Sequence, residues 1–437
     1  MAGEFQQQAL ALAAQQTVTP WLSDLRAQGS LSWQAHAWPT RKTEAWRYTS
    51  LLPVENEQWE LCDTAASHTL SDETLAEFIE LDAYRLVFVN GRLNSELSSA
   101  LPAEVVTFAD ANAAQQVLIK QHLGQIADQQ THLFAALNSS WLHEGVLLHV
   151  AANRRLDKPV YVVHVNDQGD AKAVNARVLV VLETGAETTL LEHYFSTSTV
   201  DRGWTNALTE CVVGANASLK HYRINLESEQ ALHTGGVHVR LNQDARFNGF
   251  TLANGSRLKR IDYHLKHLGS GSDVQLNGIY LPRKQQRVDY HTCVEHCVPH
   301  CTTNETFRGV IADSAKAVFN GRIHIHQDAQ KTLAEMSNRN LLTSDQAQVN
   351  TKPELEIYAD DVRCAHGATV SQLNDEALFY LTSRGVSEAE ARVMLSFGFV
   401  NELVEGVELE VLRHWLRPRI AHMFGQNDQL TRHIINE

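Results

Sequence analysis

The densest group of potential metal ligands in the sequence is the run HTCVEHCVPHC, residues 291–301. It places Cys293, Cys297 and Cys301 four residues apart, with three histidines among them. On a β-strand the thiols would share one face, with the outer two ~13 Å apart, too far to hold one metal ion. An irregular loop around Pro299 could instead gather them around zinc or an iron–sulfur cluster. The alternative is that inward cysteines are small apolar fillers and outward histidines decorate the surface.

A second potential site lies in the segment KPELEIYADDVRCAHGATV, residues 352–370. Apolar and polar residues alternate through LEIYAD, which predicts a strand with one core face and one acidic face. Cys364 and His366 are two residues apart, so their side chains project to one side, ahead of a turn expected at Gly367. A thiol and an imidazole can bind a borderline-soft metal ion, or form an activated nucleophile. Two ligands leave a metal site incomplete, so a partner or another segment must supply the rest. A buried cysteine beside a surface histidine is the structural alternative.

The composition is that of an ordinary globular protein. Of 437 residues, 43% are hydrophobic, and 37 Lys and Arg stand against 51 Asp and Glu, a formal charge of −14. This charge disfavours non-specific binding to nucleic acid or to an anionic membrane surface. The first twenty residues contain no Lys or Arg and no long apolar segment, and no apolar run reaches the ~18 residues of a spanning helix. Six cysteines do not make a disulfide framework in so long a chain, so we expect a cytoplasmic protein.

Short self-similar units recur through the middle of the chain. They begin at Gly185, Gly214, Asp244, Gly271, Ser314 and His366. Successive starts are 29, 30, 27, 43 and 52 residues apart, and each unit has a small turn residue followed by a strand. A period of ~20–50 residues with few helical patterns between the strands indicates a solenoid. We therefore predict a mainly β protein whose core is a β-helix.

Helical patterns flank this core. We predict a mostly helical region with a short β element over residues 1–140, the β-helix over 141–373, and a helical unit over 374–437. In the first region Asn90-Gly91 is a hairpin turn signal. In the last, Ser387 and Glu390 have the spacing of a capping box. The ends of a β-helix expose open sheet edges, and we expect the helical regions to cover them.

Four segments resemble the SUF iron–sulfur cluster assembly scaffold family, the SufB/SufD family, and within it the D component. The segment TKPELEIYADDVRCAHGATV is similar to the family signature. PTRKTEAWRYTSL, AVFNGRIHI and LFYLTSRG are similar to its N-terminal motif, a β-helix turn and the start of its C-terminal helical domain. The chain departs from the family at Ala365 and Ser371, where Ser and Gly are usual. The resemblance implies a right-handed parallel β-helix flanked by helical domains.

The resemblance also implies a non-catalytic scaffold subunit of the SUF cluster assembly complex. The D component pairs with the B component through the β-helix ends, and its C-terminal helical domain binds the C component, an ABC-type ATPase. By this resemblance His366 lies at the B–D interface as a metal ligand of the nascent cluster, and Cys364 supports it. Cys301 occupies a position where relatives can have cysteine and would lie near an interior path, whereas Cys293 and Cys297 match no family pattern.

Several expectations about ligands and function follow. The implied cargo is a transient iron–sulfur cluster shared with the partner chain, and a reduced flavin is a further candidate ligand of the complex. No tightly bound cofactor is expected on the isolated chain, for which a homodimer is an alternative state. The sequence has no GxxxxGK[ST] motif, so ATP hydrolysis by a P-loop is not expected. Two other functions stay open: a β-helix polysaccharide lyase using Asp360, Asp361 and Arg363, and an interaction module without metal.

Overall fold

The computed structural model describes residues 2–16, 18–62, 70–167, 171–425 and 430–431. Its centre is a parallel β-solenoid in which the chain passes alternately through two ten-stranded sheets, here called sheet A and sheet B. Most strands pair in parallel with the strand two positions away along the chain. The predicted mainly β class, a parallel solenoid with helices on both sides of it in sequence, is confirmed.

The helices and strands have the following bounds. The helices are α1 Ala2–Gln15, α2 Ser23–Ala35, α3 Leu52–Glu55, α4 Asp72–Leu75, α5 Ala113–His122, α6 Leu133–Ser140, α7 Asp375–Ser383, α8 Glu388–Glu405 and α9 Glu410–Gly425. The first ten strands are β1 Glu60–Leu61, β2 Tyr84–Val89, β3 Arg92–Leu93, β4 Val105–Thr107, β5 Val146–Val150, β6 Val160–Asn166, β7 Lys172–Leu182, β8 Glu187–Ser196, β9 Trp204–Val213 and β10 Ser218–Leu226. The others are β11 Leu232–Leu241, β12 Arg246–Asn254, β13 Leu258–His267, β14 Asp273–Leu281, β15 Arg287–His296, β16 Thr302–Ile311, β17 Lys316–Ile325, β18 Leu333–Leu342, β19 Gln348–Ile357 and β20 Arg363–Gln372.

The solenoid turn explains the spacing of the sequence repeats. In sheet B the strands from β8 to β20 begin at residues 187, 218, 246, 273, 302, 333 and 363, so one turn takes 27 to 31 residues. The repeat units at Gly185, Gly214, Asp244 and Gly271 each lead into a strand of sheet B. The unit at Ser314 leads into β17 of sheet A instead. The interval of 43 residues before it is therefore about one and a half turns.

Alternation along each strand separates the core from the outer surface. In β18, Ala334 and Met336 are buried, whereas Leu333 and Glu335, which alternate with them, are exposed. Because neighbouring strands pair in parallel register, inward-facing residues stack on inward-facing residues of the next turn, and outward-facing residues stack on outward-facing ones. The buried positions form one continuous hydrophobic core that runs through the solenoid. Whether a side chain faces inward or outward can thus be inferred from the residue that it pairs with on the neighbouring strand.

The helices pack on the outer faces of the two sheets. Trp141, just after α6, stacks edge-on against Trp204 of sheet A, with ring centroids 5.2 Å apart. On sheet B, Arg308 of β16 pairs with Glu402 of α8 and donates a hydrogen bond to the Phe399 carbonyl oxygen at 2.7 Å. The expectation that helices cover the solenoid ends is wrong at the C-terminal end. There every residue of β20 except Cys364 is exposed, because α8 and α9 bury their apolar side chains against the side of the sheet.

Two local predictions are confirmed. Strands β2 and β3 form an antiparallel hairpin, and its turn residues Asn90 and Gly91 have φ angles of 51° and 79°, as a tight hairpin turn requires. Helix α8 begins with the capping box of Ser387 and Glu390. The proposed boundaries at 140/141 and 373/374 stay predictions, and residues 426–429 and 432–437 of the last unit lie outside the described part of the chain.

Candidate functional site

Strand β20 places Cys364 and His366 at the end of the solenoid. It pairs with β18 in parallel register, so that Cys364 lies beside Ala334 and His366 beside Met336. Ala334 and Met336 both face the core. Cys364 and His366 therefore face the same way, toward the interior of the solenoid. The predicted turn at Gly367 is wrong, since this residue lies within β20 and the strand continues on both sides of it.

The two side chains differ in their surroundings. Cys364 is half-buried and packs against the end of the hydrophobic core. Partial burial raises the pKa of its thiol, and a backbone hydrogen bond involving Ala334 opposes that shift. His366 is exposed although it faces inward, because no described strand follows β20 along the solenoid axis. The site is thus an imidazole and a thiol on the open mouth of the solenoid.

The same end presents unpaired backbone and apolar side chains. Within the described residues, β19 and β20 are the last strands of their sheets, so each has one edge without a strand partner. Val370 of β20 is 50% exposed and Tyr358, just after β19, is 62% exposed. Free strand edges with exposed apolar residues are a typical surface for pairing with another chain. We call β19, the segment 358–362 and β20 the end surface.

The three cysteines of residues 291–301 do not meet at one site. Cys293 lies on the outer face of β15, and Cys297 follows that strand beside Glu295 and His326. Cys301 is buried at the interior corner before β16. The shared face that an unbroken strand would give does not occur, because the strand ends at His296 and the chain bends through the next five residues. The described residues contain no group that joins two of these thiols as metal ligands.

One histidine of this run also departs from the expected pattern. His296 faces the interior, fully buried, and its ring stacks on His267 with centroids 4.3 Å apart. Burial lowers the pKa of His296 to about 4. The Cys301 thiol is 3.4 Å from the Ser272 hydroxyl, which contacts His267 Nδ1 at 2.7 Å. The inward residues of the run therefore include a histidine, and the outward residues include a cysteine.

The residues named for a lyase do not form a separate site. Asp361 pairs with Lys331, and its backbone N–H donates to Gln330 Oε1 at 2.8 Å. Asp360 and Arg363 are exposed at the end surface. The contacts of Asp361 thus hold the connection between β19 and β20 in place. The exposed apolar residues of this end were not predicted from the sequence. The only sequence signal for them was an alternating strand with no further repeat unit after it.

Comparison with known proteins adds independent information. A family described as "SUF system FeS cluster assembly, SufBD core domain" matches residues 163–399, and the "SufBD protein N-terminal region" matches residues 4–162. The chain is 33% identical over 387 residues to the iron–sulfur cluster assembly protein SufD of Escherichia coli K12, which covers 88% of each chain. The chain belongs to the SufB/SufD family.

Other relatives belong to the same family. An iron–sulfur cluster assembly protein of the SufBD family from Synechocystis is 30% identical over 398 residues, covering 88% of this chain and 87% of the relative. SufD of Bacillus subtilis is 27% identical over 418 residues, covering 90% and 92%. These matches confirm the resemblance to the D component and assign the chain a role in SUF iron–sulfur cluster assembly.

Proposed function

We propose that this chain is a non-catalytic scaffold subunit whose end surface forms a cluster assembly site together with a B-component partner. The observation that carries the proposal is the exposed, inward-facing His366 on the last strand of the solenoid. An inward residue elsewhere on these strands is covered by the next turn. At this end, a partner chain can take the place of that turn and bring its own ligands close to the imidazole.

The two ligands have different roles in this proposal. His366 offers an accessible nitrogen donor to an iron ion, which imidazole suits. Cys364 is half-buried with a raised thiol pKa, so it is largely protonated at neutral pH and supports the site from the side. One imidazole does not complete a site for iron. The remaining ligands of the transient cluster therefore come from the partner, and a reduced flavin is a candidate electron source in the complex.

The proposed site for the C component, an ABC-type ATPase, is the C-terminal helical unit. Helix α7 has no fully buried residue, and Phe379 on it is 74% exposed. Helices α8 and α9 are packed firmly on sheet B. An ATPase bound through this unit would act on sheet B, the sheet that contains β20. The scaffold itself then needs no nucleotide site.

The remaining expectations are consistent with this proposal. No described helix is long and apolar enough to cross a bilayer, and we propose that the complex works in the cytoplasm without binding nucleic acid or a membrane. For the isolated chain, the end surface is the proposed contact of a homodimer. Family membership favours cluster assembly over the lyase. A metal-free interaction module would use the same end surface, so only cluster formation separates it from a scaffold.

The test is anaerobic reconstitution with iron and sulfide. The chain would be examined alone, the B component alone and the two together, and the visible absorbance of the cluster would be recorded after desalting. We expect a stable chromophore that needs both chains. A complex that forms without ever acquiring the chromophore would favour the metal-free interaction module, and a chromophore of equal yield on the B component alone would contradict the shared site.

A further inference from the structure

A group of three histidines lies on the outer face of sheet A, away from the end surface. His238 and His264 are neighbours in register on β11 and β13. His132, from the segment before α6, packs against both, with ring centroids 4.6 Å from His238 and 5.3 Å from His264. One ring nitrogen of each lies within 4.8 Å of a nitrogen of the other two. Three imidazoles from three separate elements thus converge on one point.

The segment that carries His132 is held firmly on the sheet. Glu210 of β9, the register neighbour of His238, accepts hydrogen bonds from the backbone N–H groups of Gly124 and Ala127 at 2.9 and 2.8 Å. Arg177 pairs with Glu210 at 2.5 Å, and both side chains are fully buried. A fixed backbone reduces the conformational entropy that His132 would lose on binding a ligand.

The chemistry of the three rings suits a metal ion. Burial is the main cause that lowers the pKa of His132 to about 4 and that of His238 well below its usual value. Within the described residues, His238 Nδ1 is buried without a hydrogen-bond partner. His264 Nε2 lies 2.6 Å from the Glu295 carboxylate, the type of contact that orients a metal-binding imidazole. Lys266 shares that carboxylate at 3.2 Å.

A second group with similar residue types offers a useful contrast. His267, His296 and Cys301 also lie close together, but all three are buried inside the solenoid. Both nitrogens of His267 contact hydroxyl groups, Ser272 Oγ at 2.7 Å and Thr303 Oγ1 at 3.0 Å. Hydroxyl contacts thus already occupy that interior group. The outer group has a half-buried member, His132, through which an ion can enter.

We propose that His132, His238 and His264 form a binding site for a divalent transition-metal ion of the zinc class. Three imidazoles with water in the fourth position is an established tetrahedral zinc arrangement, and zinc–nitrogen bonds of ~2.0–2.1 Å would draw the three nitrogens closer together than the 4.8 Å within which they lie. The ion joins the segment before α6 to two consecutive turns of the solenoid. It is separate from the cluster cargo at the end surface.

The probe is Zn²⁺ added to the full chain under anaerobic conditions, with affinity measured by competition with a chromophoric chelator. We expect His132→Ala to weaken one equivalent of bound Zn²⁺ at least tenfold. We expect this variant to keep the fold, because the His132 side chain makes no capping hydrogen bond to α6. Glu295→Gln should weaken the same equivalent by ~10–100-fold, as loss of an orienting partner does. The matched control is His149→Gln, which removes a histidine paired with Glu183 outside the group.

Co²⁺ identifies the donor atoms. The described structure also groups His264 with Cys293 and Glu295, and Glu295 with Cys297 and His326. A three-imidazole site gives tetrahedral Co²⁺ bands without thiolate charge transfer, and the double variant Cys293→Ser/Cys297→Ser leaves them unchanged. Unaltered Zn²⁺ binding by His132→Ala would overturn the proposal. Thiolate charge transfer that disappears in the double variant would overturn it as well, by assigning the ion to the cysteines.

Discussion

His366 lies directly beside Met336 in the parallel pairing of β20 with β18, yet Met336 is 2% exposed and His366 is exposed. Both residues continue one inward column that also contains Leu276 and Glu305 on the two preceding strands of sheet B. The difference in exposure arises because Met336 has a further strand beyond it, whereas no strand of the described chain lies beyond His366. The candidate site is therefore a consequence of where the solenoid stops.

Val370→Lys should weaken association through the end surface. Val370 is half-exposed on β20, and a charge placed there would have to lose its hydration when another chain covers the strand. We expect at least a tenfold loss of affinity for the B component, measured by calorimetry or analytical ultracentrifugation. Val200→Lys is the matched control, because Val200 is an exposed valine outside the end surface. Equal affinity of wild type and Val370→Lys would place the contact elsewhere.

Phe379→Asp should weaken binding of the ATPase without unfolding the chain. The aromatic ring is 74% exposed on α7 and contributes little to the core, whereas an exposed aromatic residue is a common anchor of an interface. We expect co-purification of the C component to fall at least tenfold while the melting temperature stays unchanged. Leu31→Asp, on the exposed side of α2, controls for the loss of an exposed apolar residue. Unchanged ATPase recovery would argue against docking through α7.

Glu305 gives the solenoid a pH dependence that can be measured. Its carboxyl is fully buried, and burial raises its pKa from 4.5 to about 8. Between these values the unfolded chain releases the proton and the folded chain keeps it. Stability therefore falls as pH rises through this window, by ~1.4 kcal/mol per pH unit from this group. Glu305→Gln removes that dependence.

Urea unfolding at several pH values between 5 and 8 measures the effect. As pH increases, the free energy of unfolding of Glu305→Gln should rise relative to that of the wild type. Glu335→Gln is the control, since Glu335 lies on β18 with its side chain exposed. A constant difference between Glu305→Gln and the wild type across this range would show that the buried carboxyl is ionised throughout.

Much of this architecture could be predicted because repetition is visible in the sequence. The units at Gly185 and Gly214 are one turn apart, and local signals such as Asn90-Gly91 specify their own turn. The direction in which individual side chains face was harder to predict. Cys293 and His296 exchange their expected faces, because the face depends on strand register, which local spacing does not determine.

Part of the histidine group on sheet A could be predicted from the repeat period of the solenoid. His238 and His264 are 26 residues apart, close to one turn, so residues of similar type at that interval stack on neighbouring strands. His132 could not be found in this way, since it comes from outside the repeats and reaches the sheet through the packing of the segment before α6. The openness of the last turn likewise depends on α8 and α9 packing on the side of sheet B.

The most direct test of the account is anaerobic cluster reconstitution of the complex with His366→Ala. We expect this variant to bind the B component normally and to lose most of the cluster chromophore, because the accessible nitrogen ligand is gone. Gln372→Ala, at another exposed inward position of the same strand, should retain the chromophore. Wild-type cluster yield in the complex with His366→Ala would contradict the central claim that this imidazole completes the shared site.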